Sequence, residues 1–343
     1  MRKKVNFLKA ISLGLAAIMM LAILPISVSA TTTPTEVTID EASDWDAYKG
    51  DDGIYMLNAE ETYVVSATVT TITGTFDGNG ATVTTSVPLF TEAKNATVKN
   101  LIINGAIDGG EATLVAAVCC TAYNTTFENI TNNASVEAAT NAAGIVAVGE
   151  HLKDDSDAYV TSEIKFVNCH NTGTMTVTGT SKTKVAGILA TVPDNCGEKL
   201  TITATNCSNS ADMEATKPAG FAAYIGDADL VSVSGFSNSG KMTGTDCTGG
   251  VIAQTSKNVK ELNINDCNND SEIKTSSKYV GGIIGIKQAQ SSDDVISNCV
   301  NTGDVTSTHG SAGQVGGIGG TICGVQMKAC GNSGTISGTQ YTG

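Results

Sequence analysis

One short unit recurs seven times in this chain, centred on Ile130, Cys169, Cys207, Phe236, Cys267, Cys299 and Cys330. Two residues after every centre stands an asparagine: Asn132, Asn171, Asn209, Asn238, Asn269, Asn301 and Asn332. Four residues after it comes a small residue (Ala134, Gly173, Ala211, Gly240, Ser271, Gly303, Gly334), and six after it an apolar one (Val136, Met175, Met213, Met242, Ile273, Val305, Ile336). A period of about 29–39 residues cannot bury an apolar face within one unit, so successive units must stack. The asparagine column reads as an amide ladder, each side chain bonded to the coils above and below.

The local pattern names the secondary structure. Apolar residues stand five and three before the centres, as in Ile164 and Phe166, Ile202 and Ala204, Val231 and Val233, and Leu262 and Ile264. Alternation with a period of two is the mark of a strand. Thr125 and Asp294 break the first of these positions, while Phe127 and Ile296 keep the second. The phase breaks at Asn168-Cys169 and its equivalents, which predicts a corner, and the apolar residue six after the centre begins a second face. Gly144-Ile145, Gly187-Ile188, Gly220-Phe221, Gly250-Val251, Gly282-Ile283 and Gly317-Ile318 mark a third. The expected fold is therefore all-β: a right-handed parallel β-helix with three strands per coil.

Residues 1–30 stand apart. Arg2, Lys3 and Lys4 precede an apolar run from Ile11 to Leu24, and Val28-Ser29-Ala30 offers small residues for cleavage. This is the pattern of a secretory signal peptide, too short to be a retained anchor. The mature chain is expected outside the cell or at its surface, with no transmembrane segment. It keeps 16 Lys, no Arg, and 34 Asp plus Glu, so 16 minus 34 leaves a formal net charge of −18. Such a surface repels phosphate backbones and argues against nucleic acid as a partner.

Residues 31–62 read as an N-terminal capping segment, with a short capping helix over Thr38–Lys49 that Thr38 or Asp40 would cap, and with Trp45 and Tyr48 on one face. Asp44, Asp46, Asp51 and Asp52 lack the alternating ligand spacing of a calcium loop. Residues 63–343 carry the coils. Five of the ten cysteines share one repeat position, which predicts a stacked column of buried free thiols; parallel stacking aims their Cβ vectors alike, against disulfide geometry.

The segment GTFDGNGATV followed by PLF and NATVKNLIINGAI resembles the start of bacterial surface proteins that carry GLUG-type repeats, and NCVNTGDV…VGGIGG and NCHNTGTM…VAGILA are similar to that family's repeat. The resemblance spans roughly residues 70–343. It implies a right-handed parallel β-helix on a secreted or surface-displayed protein and implies no activity. Ile130 and Phe236 depart from the pattern, standing where its Cys would be.

Glu150–Glu163 is the longest insertion, and Thr191–Lys199 follows it one coil later, so the two loops are expected side by side. His151, Asp154, Asp155, Asp157 and Tyr159 form the candidate ligand-binding cluster. Calcium is the one cofactor such a loop suggests, and a solvated acidic loop is the plainer reading. No catalytic set is predicted. His151, His170 and His309 lack metal-ligand spacing. With no arginine in the mature chain, the arginine base of pectate-lyase-type enzymes of similar fold is missing, leaving only a lysine base open, and the paired carboxylates beside Gly-His and Arg-x-Lys elements of the polygalacturonase type do not appear. The expected function is a non-catalytic adhesin or ligand-displaying stalk, with glycans or host or cell-surface proteins as partners. The alternative is a polysaccharide-acting enzyme or its carbohydrate-binding module. Gln340–Gly343 align with Lys278–Gly281 just before a strand, which predicts repeats continuing past Gly343.

Overall fold

The computed structural model describes residues 35–342, apart from 195–198, 277, 289–290, 292, 311–312 and 339–340. The predicted signal peptide and the final glycine lie outside the described residues.

Every strand pairs in parallel with its equivalent one repeat later. On the first face, Phe127 lies beside Phe166, Ile164 beside Ile202, Ile202 beside Val231 and Val231 beside Leu262. On the second, Val136, Met175, Met213, Met242, Ile273, Val305 and Ile336 follow one another in register. On the third, Ala142 pairs with Val185 and Val280 with Val315. The inward residues of all three faces form one continuous core that includes Phe127, Phe166, Ile202, Met213, Phe236, Ile264 and Ile283.

The expected three-strand coil with a capping helix needs correction. The strands fall into two sheets, one of 30 strands and one of eight. The first two faces merge because the strand Phe90–Asp108 runs for 19 residues around three bends. It bends at Asn95 and Asn100, with φ of 51° and 57°, and at Gly105, with φ of 114°. Left-handed backbone at asparagine and glycine turns the chain without interrupting its ladder. Only the third face is a separate sheet, its strands running from Leu114–Ala116 to Tyr341–Thr342.

The N-terminal capping helix is also corrected. Thr35–Ile39 is a strand, paired in parallel with Glu61–Val65. Ala42–Tyr48 is a single stretch of 3₁₀ helix, with Glu41 at its N-cap in place of Thr38 or Asp40. The sequence's acidic and aromatic spacing suits about two turns of 3₁₀ helix as well as about three of α-helix. Tertiary packing decides the length: buried Trp45 meets Phe76 edge-on at 5.5 Å and donates its indole N–H to the Ala67 carbonyl at 3.1 Å.

The asparagines form an unbroken chain of amide bonds. Each Nδ2 donates to the Oδ1 of the next: Asn132 to Asn171 at 2.8 Å, Asn171 to Asn209 at 2.9 Å, Asn209 to Asn238 at 3.0 Å, and onward through Asn269 and Asn301 to Asn332 at 2.7 Å each. Each Nδ2 also donates to the carbonyl two residues on, from Ala134 to Gly334. The third-face glycines exist for this ladder. A Cβ on Gly250 would lie 2.3 Å from the Gly282 carbonyl and 2.8 Å from the Asn269 amide.

A second column stands one residue before each centre, in left-handed backbone: Asn129, Asn168, Asn206, Gly235, Asp266, Asn298 and Ala329 have φ between 51° and 69°. These are the predicted corners. Asparagine, aspartate and glycine tolerate this region, and Ala329 is the exception.

Candidate functional site

The insertion after the strand Val146–Glu150 leads into the strand Ser162–Asn171. Its residues do not converge on an open site. The His151 ring is buried, meets the Tyr159 ring edge-on at 5.8 Å, and finds no hydrogen-bond partner among the described residues. Burial pulls its pKa down to about 4, against a weaker upward pull from Asp229. The histidine is therefore neutral across the physiological range.

Asp154 is consumed by its own loop. One carboxylate oxygen accepts the Ser156 N–H at 2.9 Å, the Ser156 hydroxyl at 2.6 Å and the Ala158 N–H at 3.0 Å. These bonds hold its carboxyl below the usual carboxylate range. Asp157, in left-handed backbone with φ of 63°, pairs with Lys153 at 2.8 Å. The Lys153 ammonium also stands 4.9 Å from the centre of the Tyr159 ring. Asp155 is exposed. The cluster is a self-bonded turn, closed by the isolated antiparallel bridge between Lys153 and Tyr159. At the other acidic stretch, Asp44 accepts the N–H groups of Asp40 and Glu41, and Asp52 accepts that of Ile54. Among the described residues, no group of three or more His, Cys, Asp or Glu is placed to hold a metal ion.

The two insertions do meet. Lys199 donates from Nζ to the Tyr159 carbonyl at 2.7 Å, and the Ser162 N–H donates to the Lys199 carbonyl at 2.9 Å. Lys199 N–H reaches Asp229 at 3.0 Å, and Lys260 pairs with Asp229 at 3.1 Å, so charged side chains tie successive coils along this edge.

A second cluster is one that sequence reading missed. Where the third face turns back into the first, a seam of small residues lies outside the main core: Ala143, Ala147 and Ala190, then Ala219, Cys247 and Ala253. Lys184 and Lys217 are register partners beside it. The Lys184 ammonium stands 5.0 Å from the Tyr224 ring centre. The Tyr224 hydroxyl shares its proton between the two Asp194 oxygens, at 2.8 and 2.7 Å. Lys217 pairs with Asp246. Burial lowers the pKa of Lys184, helped by the neighbouring Lys217 charge, and burial raises that of Tyr224. An aromatic ring flanked by ammonium and carboxylate groups offers stacking and hydrogen bonding to a polar ligand. The only signal in the sequence was the shared spacing of the two lysines before Val185-Ala186 and Pro218-Ala219.

Among the described residues, nine cysteines are free thiols: Cys119, Cys169, Cys207, Cys247, Cys267 and Cys299 buried, Cys120 and Cys330 partly so, and Cys323 exposed. Cys169 and Cys207 are stacked, with the Cys169 N–H 3.4 Å from the Cys207 sulfur. Burial raises the pKa of Cys169, as it does for Cys119 and Cys247. These are packing groups rather than nucleophiles.

Among the described residues, no helix is long and apolar enough to cross a membrane. No protein-family model and no curated protein matches the chain. A crystal structure of a proposed immunoglobulin A1 protease from Bacteroides ovatus is similar over 89% of this chain and 84% of that one, with 12% identity and a TM-score of 0.40. A likeness at that level informs neither fold nor activity.

Proposed function

We propose that the chain is an extracellular, non-catalytic repeat protein related to those with GLUG-type repeats, and that it displays ligand-binding side chains on a rigid stack of coils. One observation carries the reading: Lys184, Lys217 and Tyr224 stand on strands locked in register by parallel ladders, and Asp194 and Asp246 meet them from the adjoining turns. Rigid elements hold a binding constellation more tightly than loops do, because less conformational entropy is lost on binding. Ring faces and paired charges suit glycans or polar protein surfaces.

The test is binding of residues 31–343 to immobilised glycans and matrix proteins, with calcium and with chelator, while the glycans are assayed for cleavage. Saturable binding without cleavage, weakened at least tenfold by Tyr224→Ala, supports the proposal. Cleavage would replace it with a polysaccharide-acting enzyme, and absence of binding would overturn it. Calcium dependence would return attention to the Asp154–Asp157 turn.

A further inference from the structure

Among the described residues, the core contains one fully buried ion pair. Lys287 and Asp294 are each 0% exposed, and the lysine Nζ lies 3.3 Å from the aspartate Oδ2. Each stands where the repeat calls for an apolar residue. Lys287 continues the inward column of Val192, Ile225 and Thr255, with Ile322 after it. Asp294 follows Leu262 in the column that Ile164, Ile202 and Val231 also occupy. Two independent columns are broken in the same coil, seven residues apart, by groups of opposite charge in contact. Two ions taken from water into an apolar interior lose hydration that their mutual attraction repays only with good geometry. Here the contact is longer than the usual 2.7–2.9 Å of a charge-assisted bond.

The rest of the geometry favours chemistry between the two groups. Asp294 Oδ1 accepts the Leu262 N–H at 2.8 Å, while Oδ2 accepts no hydrogen bond from any described residue. A donor on Oδ1 stabilises negative charge there if a nucleophile adds to Cγ. Lys287 Nζ is held on the Val259 carbonyl at 3.1 Å, one coil below, which keeps the nitrogen beside that carboxyl.

We propose that Lys287 and Asp294 condense to an intramolecular amide. One proton transfer across the contact makes the neutral amine and acid. Nζ then adds to Cγ, with Oδ1 bonded to the Leu262 N–H. The Nζ–Cγ bond forms, the Cγ–Oδ2 bond breaks, and Oδ2 leaves as water with the acid proton and one amine proton. No oxidant or co-reactant is needed. The product removes both charges from the core and ties the end of the strand Ile284–Lys287 to the start of Val295–Ser297.

Mass spectrometry of the purified chain decides it. The amide predicts an intact mass about 18 Da below that of the sequence, the mass of one water. It also blocks trypsin at Lys287, so the peptide Tyr279–Lys328 is recovered uncut with the same deficit. A full intact mass, or normal cleavage after Lys287, overturns the proposal. Cleavage after Lys287 with the deficit confined to Gln288–Lys328 would show a cyclised aspartate instead, and would overturn it equally. The variant Lys287→Gln should show the full mass of its own sequence. If that variant does not fold, the wild-type peptide still decides.

Discussion

Asn238 donates its side-chain amide to Asn269 across 2.7 Å in a site that excludes water, and Asn269 passes the same bond on to Asn301. Each amide serves its own turn and the coil above, so local folding and stacking are one event. Replacing Asn269 by Leu leaves the Asn301 Oδ1 without its donor and deprives Asn238 Nδ2 of one acceptor. Leaving buried polar atoms unpaired costs about 1–3 kcal/mol each, so the variant should lose about 2–4 kcal/mol. Crowding against Gly250 adds to the loss. Chemical denaturation checks it; an unchanged midpoint would mean that the ladder is incidental to stability.

The left-handed corners make a separate prediction. Asn206 has φ of 54° and an exposed side chain. Alanine there must adopt backbone that costs an L-residue about 1–2 kcal/mol, whereas glycine adopts it freely. Asn206→Ala should therefore destabilise by about 1 kcal/mol, and Asn206→Gly by less, the reverse of their ordinary order in a strand. Equal losses for the two variants would assign the effect to the lost side chain rather than to backbone strain.

These two columns also show how far the sequence could be read. The Asn132-to-Asn332 column was legible because one residue type recurs without exception, and only a stacked arrangement uses it that way. The column from Asn129 to Ala329 was harder to see, since asparagine, aspartate, glycine and alanine share a backbone conformation and no side-chain property. Thr125 and Asp294 showed as breaks in a pattern, but their compensation is three-dimensional. Thr125 Oγ1 reaches the Ala93 and Tyr123 carbonyls, and Asp294 meets Lys287, a residue of another column. The acidic loop misled for a related reason. Composition cannot reveal that one Asp154 oxygen already accepts N–H groups from its own turn. The length of the N-terminal helix and the merging of two faces into one sheet depend on packing and on bends within a long strand.

The thiols should separate into three classes under alkylation of the native protein. Cys323 is exposed and should react first, with Cys120 and Cys330 slower. Cys119, Cys169, Cys207, Cys247, Cys267 and Cys299 are buried and should be protected until the chain unfolds. Desolvation disfavours the thiolates of Cys119, Cys169 and Cys247, which slows attack there beyond the effect of access alone. Peptide mapping after brief alkylation with and without denaturant measures this. Disulfide-linked peptides among these six would contradict the stacked-thiol column.

His151 predicts the pH response of the insertion. Its pKa in the folded chain is about 4, below the ordinary value of 6.5, so the fold holds it neutral. Between those limits the unfolded chain binds a proton that the folded chain refuses, and stability must fall as pH falls. The contribution is intact above about pH 6.5 and lost progressively towards pH 4. Phenylalanine keeps an edge-on ring against Tyr159 and introduces no buried nitrogen, so His151→Phe should match or exceed wild-type stability at pH 7.5. At pH 5 its advantage should widen, because the variant has no proton to gain on unfolding. Thermal melts of the two proteins at both pH values isolate the histidine; a difference in Tm that does not change with pH would show that His151 reaches solvent in the folded state.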